Sequence, residues 1–225
     1  MIVVTGASRG LGRTISERLI NQGHDVFGLA RNVEDCTFPS LKCDVADPDS
    51  VKAAAKAIKK LKKPVKGLIN AAGIASMNLV LTTPPASVQK IISTNLLGTI
   101  YTNQSFAPLI IRAGGGAIVN FSTIAVAIGL EGEAVYVASK AGVEGFSRTF
   151  AREMSGFGVR VNCIAPGPIH TDLTAGLRQE QLDRIINYQV IRQPFEREAV
   201  ADLVDLLLDK RSHSIAGQVL HVGGV

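Results

Sequence analysis

The chain has 225 residues, 46% hydrophobic and 19% charged, with a formal net charge of +5; this suits one large α/β domain or two small ones and excludes a disordered chain. No apolar run approaches the length of a bilayer span, and the N-terminus lacks the basic segment, apolar stretch and cleavage site of a signal peptide, so a cytoplasmic protein is expected. The three cysteines are odd in number and form no CxxC pair, and the four histidines show no ligand spacing, which argues against a disulfide framework and a metal site.

Ile2–Val4 reads as a buried strand that runs into Thr5-Gly6-Ala7-Ser8-Arg9-Gly10-Leu11-Gly12. A helix over Leu11–Gln22 follows, with Gly23 at its C-cap. Glycines packed between a strand and a helix suit a phosphate-binding turn. Gly6 permits the tight turn, Gly10 lets backbone approach a pyrophosphate, and Gly12 allows close helix packing. The free N–H groups and the helix dipole then meet the anion. The spacing is GxxxGxG rather than GxGxxG. The alternative is a plain strand-to-helix turn, which rarely needs three glycines.

The second strand, Asp25–Leu29, ends Gly28-Leu29-Ala30-Arg31 with no acid at its tip. A ribose 2′-hydroxyl is usually held there by a carboxylate, and a 2′-phosphate by a cation. Arg31 and Arg9 can clamp a phosphate, so NADP(H) is preferred over NAD(H), unless either arginine is merely surface. A short strand at Leu41–Cys43 precedes a helix at Pro48–Leu61. Lys52, Lys56, Lys59, Lys60, Lys62, Lys63 and Lys66 crowd this stretch. They form the solvated face of an amphipathic helix or a patch for an anionic partner; without aromatics for stacking, they do not suit single-stranded nucleic acid.

Gly67–Asn70 is the next strand, and Ala86–Ala113 is mostly helix. Ala117–Phe121 is a strand after Gly114-Gly115-Gly116, and Ala134–Ser155 is a long helix. Val159–Ile164 is a strand closed by Pro166-Gly167-Pro168. Helices follow over Gln179–Asn187 and Arg197–Leu208, and Val219–Val222 is a last strand. This alternation predicts a single domain of α/β class, a doubly wound parallel sheet with helices on both faces and ligands at the strand C-termini.

Tyr136 and Lys140 stand four apart on the long helix and face the same way. A nearby ammonium, with the cationic nicotinamide, lowers the phenol's pKa and makes it useful for exchanging a proton with an alkoxide formed by hydride transfer.

TGASRGLG at the start, Asn70-Ala71-Ala72-Gly73, Asn95, Tyr136–Lys140 and Pro166-Gly167 stand in the order of the short-chain dehydrogenases/reductases. The whole chain resembles the classical group, especially its 3-oxoacyl-carrier-protein-reductase-like branch, of fatty acid biosynthesis. The resemblance implies a Rossmann-like sheet of about seven strands, hydride transfer with a nicotinamide, and a homotetramer or homodimer. It makes Tyr136 the acid/base, with Lys140 holding the nicotinamide ribose and lowering the phenol's pKa. Asn95 would anchor a relay water. Gly6, Ser8, Arg9, Gly10, Leu11 and Gly12 would cradle the cofactor phosphates, with Arg31 at the 2′-phosphate. Asn70, Ala71, Ala72 and Gly73 would line the cofactor and steady the sheet. Asp44 and Val45 would sit at the adenine, and Pro166, Gly167, Ile169 and Thr171 at the nicotinamide half.

The chain departs from the family's pattern at three places. The family's catalytic serine stands thirteen residues before the tyrosine, and here that position is Thr123, with Ser122 beside it. A threonine hydroxyl donates as well, but a one-residue gap would bring Ser122 into the role. The two point to opposite faces of an extended strand, which favours Thr123. The Asn32–Cys43 link is too short for a full helix. Phe157 occupies the turn where carrier-protein reductases tend to carry a basic residue, and Arg112 and Arg152 are the nearest cations. Leu173, Leu177, Leu182, Ile185, Ile186, Tyr188 and Val190 form either an apolar substrate roof or helix core.

The expected activity is NADPH-dependent reduction of a ketone, first a 3-oxoacyl thioester, acyl carrier protein being a possible carrier, and second a sugar or secondary-metabolite ketone. A non-catalytic NADP(H) sensor or assembly protein is the alternative, and a nucleic-acid binder rests only on charge.

Overall fold

In the computed structural model, which describes residues 1–75, 77–169 and 179–225, the first apolar run forms strand β1 (Ile2–Thr5), all of it buried. Burial on both faces is what a central strand of a parallel sheet requires. Side chains alternate, so Val3 enters one core and Ile2 and Val4 the other.

Six further strands are β2 (Val26–Ala30), β3 (Ser40–Lys42), β4 (Gly67–Asn70), β5 (Gly116–Phe121), β6 (Val159–Pro166) and β7 (Val219–Val222). They order as β3-β2-β1-β4-β5-β6-β7, every pairing parallel. The helices are α1 (Gly10–Asn21), α2 (Pro48–Lys60), α3 (Pro85–Ile92), α4 (Gly98–Arg112), α5 (Ala125–Ile128), α6 (Ala134–Ser155), α7 (Gln179–Tyr188) and α8 (Arg197–Leu208). Ile15 and Leu19 of α1 and Val200, Val204 and Leu207 of α8 pack on one face of the sheet. Val51 and Ile58 of α2, Phe106 and Ile110 of α4 and Phe150 of α6 pack on the other. The result is the doubly wound α/β sheet that strand–helix alternation requires. Its strand order reverses on either side of β1, which opens a crevice at the strand C-termini.

Local chemistry sets the element ends. Asp47 caps α2 by accepting from the Asp49 N–H at 2.9 Å, and Pro48 supplies the first helical position. All seven lysines of this stretch are exposed. Lys52 pairs with Asp49 and Lys63 with Asp25, both as solvent-exposed pairs that add little stability.

The predicted helix over 86–113 divides into α3, a π turn at Ser93–Leu97, and α4. A π turn carries an extra residue per turn, a shift too small for periodicity to register, and it often marks a functional position. The Asn32–Cys43 link contains β3 and no helix, as its length dictates. Strand β6 runs to Pro166, where its partner is Val222 at the end of β7.

Two glycines set the approach of α1 to the sheet. A Cβ on Gly12 would lie 2.4 Å from the Gly6 carbonyl oxygen, and one on Gly6, whose φ is +66°, would lie 2.8 Å from the Ala72 backbone. Side chains at either position would force the turn after β1 away from α1 and β4.

Candidate active site

A cleft of about 880 Å³ runs along the strand C-termini, from the glycine turn after β1 to the N-terminal end of α6. Gly6, Ser8, Arg9, Gly10, Leu11 and Gly12 line one end. No side chain caps α1, so its first N–H groups remain free for an anion. Arg31 lies at the tip of β2, and Asp44 and Val45 line the same end. Arg9 and Arg31 are exposed and neither forms an ion pair among the described residues. Asp35 lies in this lining too, a carboxylate in the short irregular link that no sequence pattern singles out.

Ala71, Ala72 and Gly73, beyond β4, line the middle, and Pro166, Gly167 and Ile169 the far wall. Asn70 is not in the lining. Its amide is buried, donating to the Asn120 side chain at 2.8 Å and accepting from Thr102 at 2.7 Å, so it ties β4 to β5 and α4. Asn95 is likewise fully buried behind the wall. Its Oδ1 accepts from the Ile74 N–H at 2.9 Å, and its Nδ2 donates to the Ile74 carbonyl at 2.9 Å and to Ser139 at 3.1 Å. These bonds hold the loop after β4 against α6. Thr171, Leu173 and Leu177 lie outside the described residues. Of the other expected roof residues, Ile185 is buried and lines the cleft, while Tyr188 and Val190 are exposed. Phe157, Arg112 and Arg152 are exposed as well.

The inner end holds Tyr136, Lys140, Ser122 and Thr123. Strand alternation separates the last two. The Ser122 hydroxyl donates to Glu144 Oε1 at 2.8 Å, and Glu144 Oε2 accepts from Arg148 at 3.2 Å. Thr123 instead lies beside the Tyr136 phenol, where its side chain partly opposes the rise that burial imposes. Its own oxygen accepts from the Ala125 N–H at 3.2 Å, which fixes the rotamer. Lys140 Nζ donates to the Phe121 carbonyl at 2.9 Å and stands 5.9 Å from the Tyr136 ring centre.

Burial brings the Lys140 ammonium down to about 8. Burial, seconded by the charge of Glu133, holds Tyr136 well above its ordinary value, and the Thr123 side chain only partly opposes this. Lys140 directs its Nζ at a backbone carbonyl and does not offset the burial.

Glu133, which the sequence reading passed over, also lines this end. It is 8% exposed, and burial raises its carboxyl to about 7. From the ordinary value of 4.5 up to about 7, the folded chain keeps a proton that the unfolded chain releases, so stability falls as pH rises through that window. Glu133→Gln is therefore expected to have a higher Tm than wild type at pH 8, with the difference shrinking toward pH 5; thermal scans across this range check it, and a pH-independent difference would contradict it.

A parallel doubly wound sheet with a glycine-rich turn at its switch point is the architecture of Rossmann-fold dehydrogenases. The family model described as short chain dehydrogenase matches residues 1–182. Carbonyl reductase family member 4 of Danio rerio is 39% identical over 234 residues, covering 100% of this chain and 96% of the relative. The 3-oxoacyl-[acyl-carrier-protein] reductase FabG of Staphylococcus aureus (strain N315) is 33% identical, covering 99% and 96%. The ligand-free structure of Thermoplasma acidophilum aldohexose dehydrogenase superposes with a TM-score of 0.89 at 29% identity, covering 99% of this chain and 92% of that one. This chain belongs to the short-chain dehydrogenase/reductase family of oxidoreductases.

Membership implies a nicotinamide dinucleotide cofactor, and the cleft fits one: an uncapped helix N-terminus for the pyrophosphate lies at one end and a Tyr–Lys pair at the other. Among the described residues no helix is long and apolar enough to cross a membrane, and no three His, Cys, Asp or Glu side chains converge as a metal site.

Proposed function

We propose that this protein is an NADPH-dependent reductase that converts a ketone to a secondary alcohol, with 3-oxoacyl thioesters as the favoured substrates. The observation that carries the reading is the grouping of Tyr136, Thr123 and Lys140 at the inner end of a dinucleotide-sized cleft. The names of the curated relatives, a carbonyl reductase and a 3-oxoacyl-carrier-protein reductase, support the substrate class. Arg9 and Arg31 support the 2′-phosphate, while Asp35 and Asp44, at the same end of the cleft, work against it.

A nicotinamide held against Pro166, Gly167 and Ile169 would supply a hydride to the carbonyl carbon, two electrons in all, so that ketone, NADPH and one proton would become alcohol and NADP⁺. Tyr136 gives the proton to the carbonyl oxygen as negative charge develops there. Its raised pKa keeps the phenol protonated through the neutral range, the form a reductase needs. The Thr123 hydroxyl, beside the Tyr136 phenol, gives the arriving carbonyl oxygen a second donor. Lys140 is charged below about pH 8 and supports the negative charge left on the phenolate until a solvent proton replaces the one given up.

The test is NADPH and NADH oxidation with an acetoacetyl thioester. Turnover with NADPH is expected, with kcat/KM about tenfold or more above that for NADH, and Arg31→Ala should erode the preference. Equal use of the two cofactors would contradict the 2′-phosphate reading. Cofactor binding without turnover across a broad ketone panel would make the protein a sensor instead. A cytoplasmic homodimer or homotetramer remains part of the proposal.

A further inference from the structure

Glu133 sits at the N-cap of α6, yet its side chain makes no capping hydrogen bond. It lines the cleft three residues before Tyr136, close enough for its charge to act on that phenol. The residue is 8% exposed, and its carboxyl meets no donor among the described residues. Buried carboxylates are normally paired; this one opens into the space where the substrate must lie.

No described cation compensates it. The Lys140 ammonium is committed to the Phe121 carbonyl. On the neighbouring α3, Lys90 is exposed. Arg184 of α7 stands 4.0 Å from Glu131, and Asp183 accepts from Gln179, both at the exposed surface. Neither α5 nor the π turn carries a titratable side chain. A charge on Glu133 would oppose the ionisation of Tyr136. An unpaired carboxyl in such a place favours its neutral form, which has one O–H to donate.

We propose that Glu133 selects the substrate: its neutral carboxyl donates a hydrogen bond to a second carbonyl one methylene away from the carbonyl that Tyr136 protonates, so the cleft prefers 1,3-dicarbonyl compounds to isolated ketones. The inference rests on the ketone-reductase reading and narrows it. The two carbonyls of a 3-oxoacyl thioester, one methylene apart, present two acceptors to two donors at the N-terminal end of α6. A substrate with a free carboxylate in that position would meet repulsion whenever Glu133 ionises. Selection lies in a side chain that touches the substrate away from the reacting atoms, so its loss should appear mainly in KM.

The experiment compares kcat and KM for acetoacetyl-N-acetylcysteamine and for an isolated ketone of matched length, in wild type, Glu133→Gln and Glu133→Leu, from about pH 6 to about pH 9. Calorimetry of the same thioester binding to the protein–NADP⁺ complex supplies a readout apart from turnover. Wild type should prefer the dicarbonyl, and the preference should decline as pH rises through about 7. Glu133→Gln keeps an N–H donor and should hold the preference at every pH. Glu133→Leu should lose about tenfold of it, in KM and in thioester affinity alike. A dicarbonyl-to-ketone ratio in Glu133→Leu within about twofold of wild type would overturn the inference. So would a wild type that prefers the isolated ketone, although the reductase reading would then stand. Reduction of no ketone at all would overturn both.

Discussion

Tyr136→Phe is expected to lower kcat by roughly a hundred- to ten-thousandfold, the range ordinarily lost when a positioned general acid is removed. The phenol lies beside Thr123 and lines the cleft. Phenylalanine fills the same volume, so the change in stability should stay near 1 kcal/mol. NADPH affinity should stay close to wild type, because the phosphate-binding turn lies at the opposite end of the cleft. Steady-state kinetics beside a direct NADPH titration checks this. A variant that keeps most of its kcat would mean that another group delivers the proton.

The second large effect separates two adjacent hydroxyls. Thr123→Ala removes a donor at the oxygen that gains charge and should cost about a hundred- to a thousandfold in kcat, with Thr123→Ser restoring most of it. Ser122→Ala should act on stability instead. Its hydroxyl is bonded to the buried Glu144 carboxylate, and leaving that group a donor short costs about 1–3 kcal/mol. Its kcat should remain within severalfold of wild type. Loss of kcat in Ser122→Ala at unchanged Tm, with an active Thr123→Ala, would reverse the assignment.

What was readable in the sequence follows from how locally each feature is encoded. The α6 and α8 ranges, β4 and β7 coincide with the sequence expectation, because continuous periodicity and flanking glycine or proline mark them. The glycine turn was legible because few other contexts require such close backbone approach. The π turn was not, since an inserted residue barely disturbs helical spacing. Alternation along β5 correctly separated Ser122 from Thr123, but only the fold could show Glu144 waiting for one and Tyr136 for the other. Motif position placed Asn70 and Asn95 near the site, but only the fold shows how their amides also tie together the protein's own strands and loops. Spacing places an ammonium near the phenol, but only the fold shows that its Nζ turns to the Phe121 carbonyl and that burial raises the phenol in the chain by itself. Glu133 carried no pattern at all, because its significance lies in having no partner.

The most direct test of hydride transfer coupled to proton donation by Tyr136 is a single turnover with NADPH deuterated at C4 of the nicotinamide and an acetoacetyl thioester, followed by mass spectrometry of the product. The account predicts one deuterium at C3 of a 3-hydroxyacyl thioester with wild type and almost none in the same interval with Tyr136→Phe. Tight NADPH binding with no deuterium reaching the thioester or any other ketone would contradict it.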